Sequence, residues 1–240
     1  MRTIPITSSI LTFWQQLVFV EAALLAEDDT KALASVITPV LDDFPAILQK
    51  DLDTRRAVIQ AGARAFVADT GVDDAIRRLF SAVLAFVEQN RKRQEFTTLF
   101  SSHIGEYVRH ALRKQVEVAK DLVEKLGLKI YPDELRTPQT KALNAVIKRG
   151  NAVLDEVRKA ETARVEGRID IRTWKEEANA ARLTVYGQLL TIAAKTNRGK
   201  AWAEGFFPRT SAAIADEGEE EVLEPGAPQE AEPAKGEKPE

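Results

Sequence analysis

The sequence predicts an all-α fold: an antiparallel multi-helix bundle followed by a disordered acidic C-terminal tail. Three observations carry that reading. Sustained alternation of apolar and polar residues is absent, and no Asn-Gly or Asp-Gly turn joins β-branched runs. Apolar residues instead recur at three- and four-residue spacing through most of the first 210 positions. From residue 211 the composition changes to proline, glycine and acid.

The first helix is expected around residues 10–26, with Ile10, Trp14, Leu17, Val18, Leu24 and Leu25 as its stripe and Thr7 or Ser8 as its cap. A second segment starts near Asp29 and Thr30. Pro39 and Pro45 are expected to cut it into short pieces, because an internal proline loses a hydrogen bond and clashes with the preceding turn. Thr38-Pro39 reads as a cap followed by a permitted first-turn proline, and Asp53 as the cap of a helix running to about residue 68. Residues 73–126 contain no proline and one glycine, Gly105. Two stripes there, Ile76 to Val87 and Phe96 to Ala111, predict two helices broken near 90–93, the alternative being one long helix. Gly127 reads as a left-handed helix cap with Leu128 folding back. Thr137-Pro138 reads as the start of the next helix, Gly167 as its end, and Thr173 with Glu176 as a capping box opening the last long helix. Gly199 is expected to stop that helix. Gly150, within an apolar stripe, points to close approach of another helix's backbone, because glycine in a helix costs about 1 kcal/mol relative to alanine.

The charge is segregated. The net charge of −3 hides −4 over residues 1–90, +9 over residues 91–210 and −8 over residues 211–240. These blocks suggest an N-terminal helical section, a long-helix section sharing its core, and the tail. The tail's ten acids, four prolines and three glycines leave too little apolar surface to offset the entropy of ordering.

Composition also excludes function classes. With no cysteine, disulfides, zinc fingers, iron–sulfur clusters and thiol nucleophiles are ruled out. The common phosphate loops and the Gly-x-Ser-x-Gly elbow are absent. Glu21 interrupts the only apolar stretch near the N-terminus, so no export signal and no membrane span are expected, and the chain is placed in the cytoplasm. Abundant alanine and arginine with a single methionine resemble a bacterial coding bias.

Both histidines fall in His103-x-x-Glu106-x-x-x-His110. On one helix these would share a side and could offer a divalent metal three ligands, with Glu21 as a fourth. The plainer alternative has His103 within the apolar stripe and His110 at its edge. Arg91-Lys92-Arg93, followed by Arg113 and Lys114, is the best basic cluster for an acidic partner. Trp202, Phe206 and Phe207 form either a docking peptide or the seal of the bundle's end. The function expected is a non-catalytic helical scaffold or protein-interaction module, open to oligomerisation, whose tail screens a basic face. A protein partner is therefore expected. The alternatives are a His/Glu metalloprotein and a salt-sensitive nucleic-acid-binding protein.

Overall fold

The computed structural model describes residues 3–208. The acidic tail expected from residue 211 lies outside the described residues. Those described contain no strand and are helical almost throughout. Helix α1 spans Ile10–Leu25 and a 3₁₀ turn spans Lys31–Leu33. The next helices are α2 (Ala34–Phe86), α3 (Gln94–Leu99), α4 (Ile104–Val108) and α5 (Leu112–Leu126). Then come α6 (Asp133–Lys195) and the short α7 (Lys200–Glu204).

The two long helices are the frame. At 1.5 Å per residue, the 53 residues of α2 reach about 80 Å and the 63 of α6 about 95 Å. Ascending positions on α2 meet descending positions on α6. Trp174 Nε1 donates to the Val40 carbonyl at 2.9 Å, Gly167 lies against Thr54, and Arg64 pairs with Glu156 at 2.8 Å.

Two separate apolar cores sit on this frame. One gathers Ile4, α1, the start of α2, the last third of α6, Ala203, Phe206 and Phe207. The other gathers the end of α2, α3, α4, α5, Tyr131 and the start of α6. Both cores mix residues from before and after position 90, because α2 and α6 each run the length of the molecule.

Several expected breaks do not occur. Pro39 and Pro45 lie inside α2, and Asp53 is mid-helix. Each proline forfeits a backbone bond. Ile37 and Phe44 are buried in the first core, and the Trp174 indole ties the Val40 carbonyl between the prolines to α6. Packing outweighs the local penalty. Thr38 is not a cap. Its hydroxyl donates to Ala34 O at 3.0 Å and to Glu21 Oε1 at 2.6 Å. Likewise α6 starts at Asp133, ahead of Thr137-Pro138, and passes through Gly167, Thr173 and Glu176 without a break. It is one helix, where two were expected. Gly167 is there for space: a Cβ would sit 3.2 Å from Thr54 Oγ1.

Gly127 does end α5, but at φ −66°, so it is a right-handed cap. Gly199 is the N-cap of α7, and α6 has already ended at Lys195. The cap of α1 is Ser9, whose hydroxyl accepts from Thr12 N at 3.0 Å. The stripe expected on α1 is half displaced. Phe13, Gln16, Leu17, Val20 and Leu24 are buried, while Trp14, Val18 and Leu25 face out. A helix apolar on every side carries no period to say which side packs.

The break after residue 86 is real, with Glu88 and Gln89 at positive φ. Beyond it the chain folds into three helices where one was expected. Phe96 and Phe100 pack edge-on to Phe80 at 5.5 and 5.0 Å, and Tyr107 edge-on to Phe100 at 5.2 Å. The folded-back chain brings these rings together with Leu112 and Val116 in one core.

Candidate interaction surfaces

The folding of residues 94–111 decides the fate of the His/Glu constellation. His103 is the N-cap of the five-residue α4, Glu106 lies within it, and His110 lies beyond its end. All three are exposed, so neither the shared helical side nor a place for His103 in the apolar stripe survives. Glu21 belongs to the other core, beside Thr38. Gln115 donates to Asp73 and to the Val108 carbonyl, which fixes α4 near Asp73. Thr38 and Asp73 are 35 residues apart on one helix, or about 50 Å. Glu21 is therefore remote from both histidines. Among the described residues no three His, Asp or Glu side chains gather to hold a metal ion.

The basic run Arg91-Lys92-Arg93 forms the exposed link between α2 and α3. The Arg91 guanidinium lies over the Phe80 ring and that of Arg93 over Phe86, both at 5.8 Å. Arg93 also pairs with Glu95 at 2.7 Å, which holds the Glu95 carboxyl below its ordinary range. Two of the three cations thus help to pin the link. Arg113 and Lys114 are exposed on α5, and Lys114 pairs with Glu117. Positive charge does collect at this end of the molecule, with 15 basic and 10 acidic side chains over residues 73–150.

Trp202, Phe206 and Phe207 seal the opposite end. Phe206 and Phe207 are buried, Trp202 is half-buried beneath Arg198 at 4.7 Å, and Tyr186 stands edge-on to Phe207 at 5.8 Å. None of the three projects as a docking peptide. Residue 208 is therefore about 65 Å from the Arg91–Phe80 contact, counting along α2 from Ile37 to Phe80.

Nothing in the charge pattern announced what lies between the two cores. There α2 and α6 run as a two-helix waist. Their contact is lined by small or polar residues: Thr54, Ala61, Ala160 and Gly167. Asp51 is buried in it, accepting from Arg55 Nε at 2.9 Å and from Arg164, which also donates to Thr54 Oγ1 at 3.2 Å. Lys50 pairs with Asp170 at the margin.

The outward side of the waist carries an apolar row, with exposed Arg55 and Arg56 between its first two members. Leu52, Ile59 and Phe66 stand seven residues, two helical turns, apart on α2, with Ile59 72% and Phe66 74% exposed. Val67 on α2, and Val165 and Ile169 on α6, are also more than half exposed. The seven-residue spacing was legible in the sequence. Which side of α2 would be turned outward was not.

A second exposed apolar face lies on α1, formed by Leu11, Trp14, Val18, Phe19 and Leu25. Trp14 is stacked on Phe44 at 5.5 Å, which sets its ring at the edge of that face. The only charged side chain in α1, Glu21, is held by Thr38.

Within Lys31–Phe86, one 18-residue window is apolar enough by composition to cross a membrane, with a mean hydropathy of 1.2; the rest of that helical stretch is rich in charged side chains. No family model, no curated protein and no solved structure matches this chain, so its surfaces are its functional evidence.

Proposed function

We propose that this protein is a non-catalytic helical scaffold whose two-helix waist docks protein partners between two end cores. The observation that carries the reading is the outward row Leu52, Ile59 and Phe66, three heptad-spaced apolar side chains left in water, with the Arg55 and Arg56 cations beside the first two. Monomeric proteins seldom leave a contiguous apolar patch of more than a few hundred Å² uncovered. A ridge of this period suits a helix that lies along it and inserts its own side chains between the three residues.

The acidic tail enters the same reading as a screen for the basic end. Its root and that end are about 65 Å apart. Acting as a screen therefore requires the tail to span that distance on its own molecule or to act on the basic end of another.

A photo-crosslinking residue at position 59 or 66 of the full chain tests the docking reading in the source cell. Covalent adducts with a protein are expected from both positions, and fewer from exposed Lys141. Adducts no more frequent at 59 and 66 than at 141 would overturn the reading. Truncation after Thr210 is the companion variant, expected to raise polyanion affinity at low salt if the tail is a screen.

A further inference from the structure

We propose that α1 is the seam of a homodimer, joined across a two-fold axis to α1 of a second copy through its outward face. Its large exposed apolar residues are Leu11, Trp14, Val18, Phe19 and Leu25, the small residue on it is Ala22, and the one exposed polar side chain is the uncharged Gln15. The exposed residues of α1 include no charge. A surface that recognises a foreign protein is ordinarily marked by charges that select it and reject others. An uncharged apolar face is instead compatible with a copy of itself, because nothing on it repels its own image.

The spacing supplies the complementarity. Leu11 and Leu25 each lie seven residues from Val18, and Trp14 and Ala22 each lie four residues from it. Two α1 helices laid antiparallel, with the two-fold axis at Val18, place Leu11 against Leu25 of the partner subunit. Trp14 then covers Ala22 of the partner subunit, and Val18 meets its own counterpart. Large is set against small at Trp14 and Ala22, as interdigitated helix packing requires.

The apolar face supplies most of the area that a specific interface needs. The five large side chains are 37–51% exposed. At about 200 Å² for a large side chain, they present roughly 450 Å² per copy. Two copies face to face remove roughly 900 Å² of apolar surface before any rim is added, close to the ~1,000 Å² expected of a specific interface. A lipid surface is the poorer occupant. The face carries no Lys or Arg, and Glu27, Asp28 and Asp29 follow it directly, where anionic headgroups would be repelled.

The seam depends on the interaction-module reading, yet the two fail separately, because waist adducts at positions 59 and 66 do not involve α1. The absence of natural cysteine makes the test clean. In the full-length chain, Val18→Cys carries the only thiol and sits on the proposed axis. Under mild oxidation it is expected to form covalent dimer several-fold faster than Ile59→Cys, although Ile59 is the more exposed side chain. Leu11→Cys mixed with Leu25→Cys should cross-link, while Leu11→Cys alone should not, since two Leu11 residues would lie about 20 Å apart. By light scattering the wild-type chain should be a dimer, and Val18→Glu should weaken it by about 30-fold or more, with unchanged helicity. A wild-type monomer at about 100 µM overturns the proposal, whether or not it binds vesicles. So does a Val18→Cys rate no higher than that of Ile59→Cys. If Val18→Glu misfolds, the cysteine rates alone decide.

Discussion

Gly150 on α6 lies so close to Val116 on α5 that a Cβ added to the glycine would stand 2.6 Å from Val116 Cγ2 and 3.6 Å from Leu112 Cδ1. Glycine in that apolar stripe buys the close approach of the two helices at the cost of helix propensity. The close neighbours are two side chains, not the helix backbone that the glycine led one to expect, because Val116 and Leu112 fill the space between the helices.

Gly150→Ala is therefore expected to destabilise the fold by about 1–3 kcal/mol, overpacking outweighing the ~1 kcal/mol gained in helix propensity. Val116→Ala in the same chain should recover part of that loss, giving a coupling that a double-mutant cycle in denaturant can measure. Gly62→Ala is the control. Nothing lies within 4 Å of its Cβ position, so it should stabilise by about 0.5–1 kcal/mol. Equal effects at the two glycines would show that packing against Val116 is not limiting.

Arg182 is 2% exposed on α6, and its Nε and one terminal nitrogen have no hydrogen-bond partner. Its guanidinium lies 5.5 Å from the centre of the Phe207 ring, and burial pushes its pKa down to about 10. A base whose folded pKa is lowered costs stability while charged, and the cost is relieved only as pH rises through the folded value. At neutral pH the whole cost is present. Arg182→Met should raise unfolding free energy by about 1–3 kcal/mol at pH 7. A lower midpoint in denaturant would mean that the guanidinium holds an anionic partner.

Asp69 on α2 leaves Oδ1 buried without a partner, and Asp73 follows one turn later. Burial, and then the neighbouring Asp73 charge, raise the Asp69 carboxyl above its ordinary value of 3.8. Burial also raises Asp73, against the opposing hydrogen bond from Gln115. An acid raised in the folded state favours folding while protonated, so stability falls as pH climbs from 3.8 through the folded values. Asp69→Ala should flatten that decline and stabilise the protein at pH 7 by about 1 kcal/mol, through helix propensity and relief of the unpaired oxygen. Thermal midpoints across pH 3.5–7 would check it. A decline as steep as in the wild type would place its cause elsewhere.

The helical fold could be read from residue spacing because helix periodicity is local. Ile76, Leu79, Val83 and Val87 repeat at three and four residues and are buried as that repeat implies. Breaks were harder to read. Pro39, Pro45 and Gly167 are local signals for a break and Asp53 for a start, yet the helices run through them; Trp174 holds the Val40 carbonyl between the prolines, and Thr54 packs on Gly167. The His103–Glu106–His110 pattern depended on one helix that aromatic packing around Phe80 breaks up.

Residue order therefore settled the helical class, the segregation of charge and the absence of thiol chemistry. All of these follow from composition or from neighbours within two turns. Tertiary packing settled which face of each helix meets water, since α1 is apolar all round and α2 carries apolar residues on opposite sides. With one side of α2 taken by α6 and the end cores, Leu52, Ile59 and Phe66 are left outside. No period read along a single helix can reveal which apolar side its neighbours will cover.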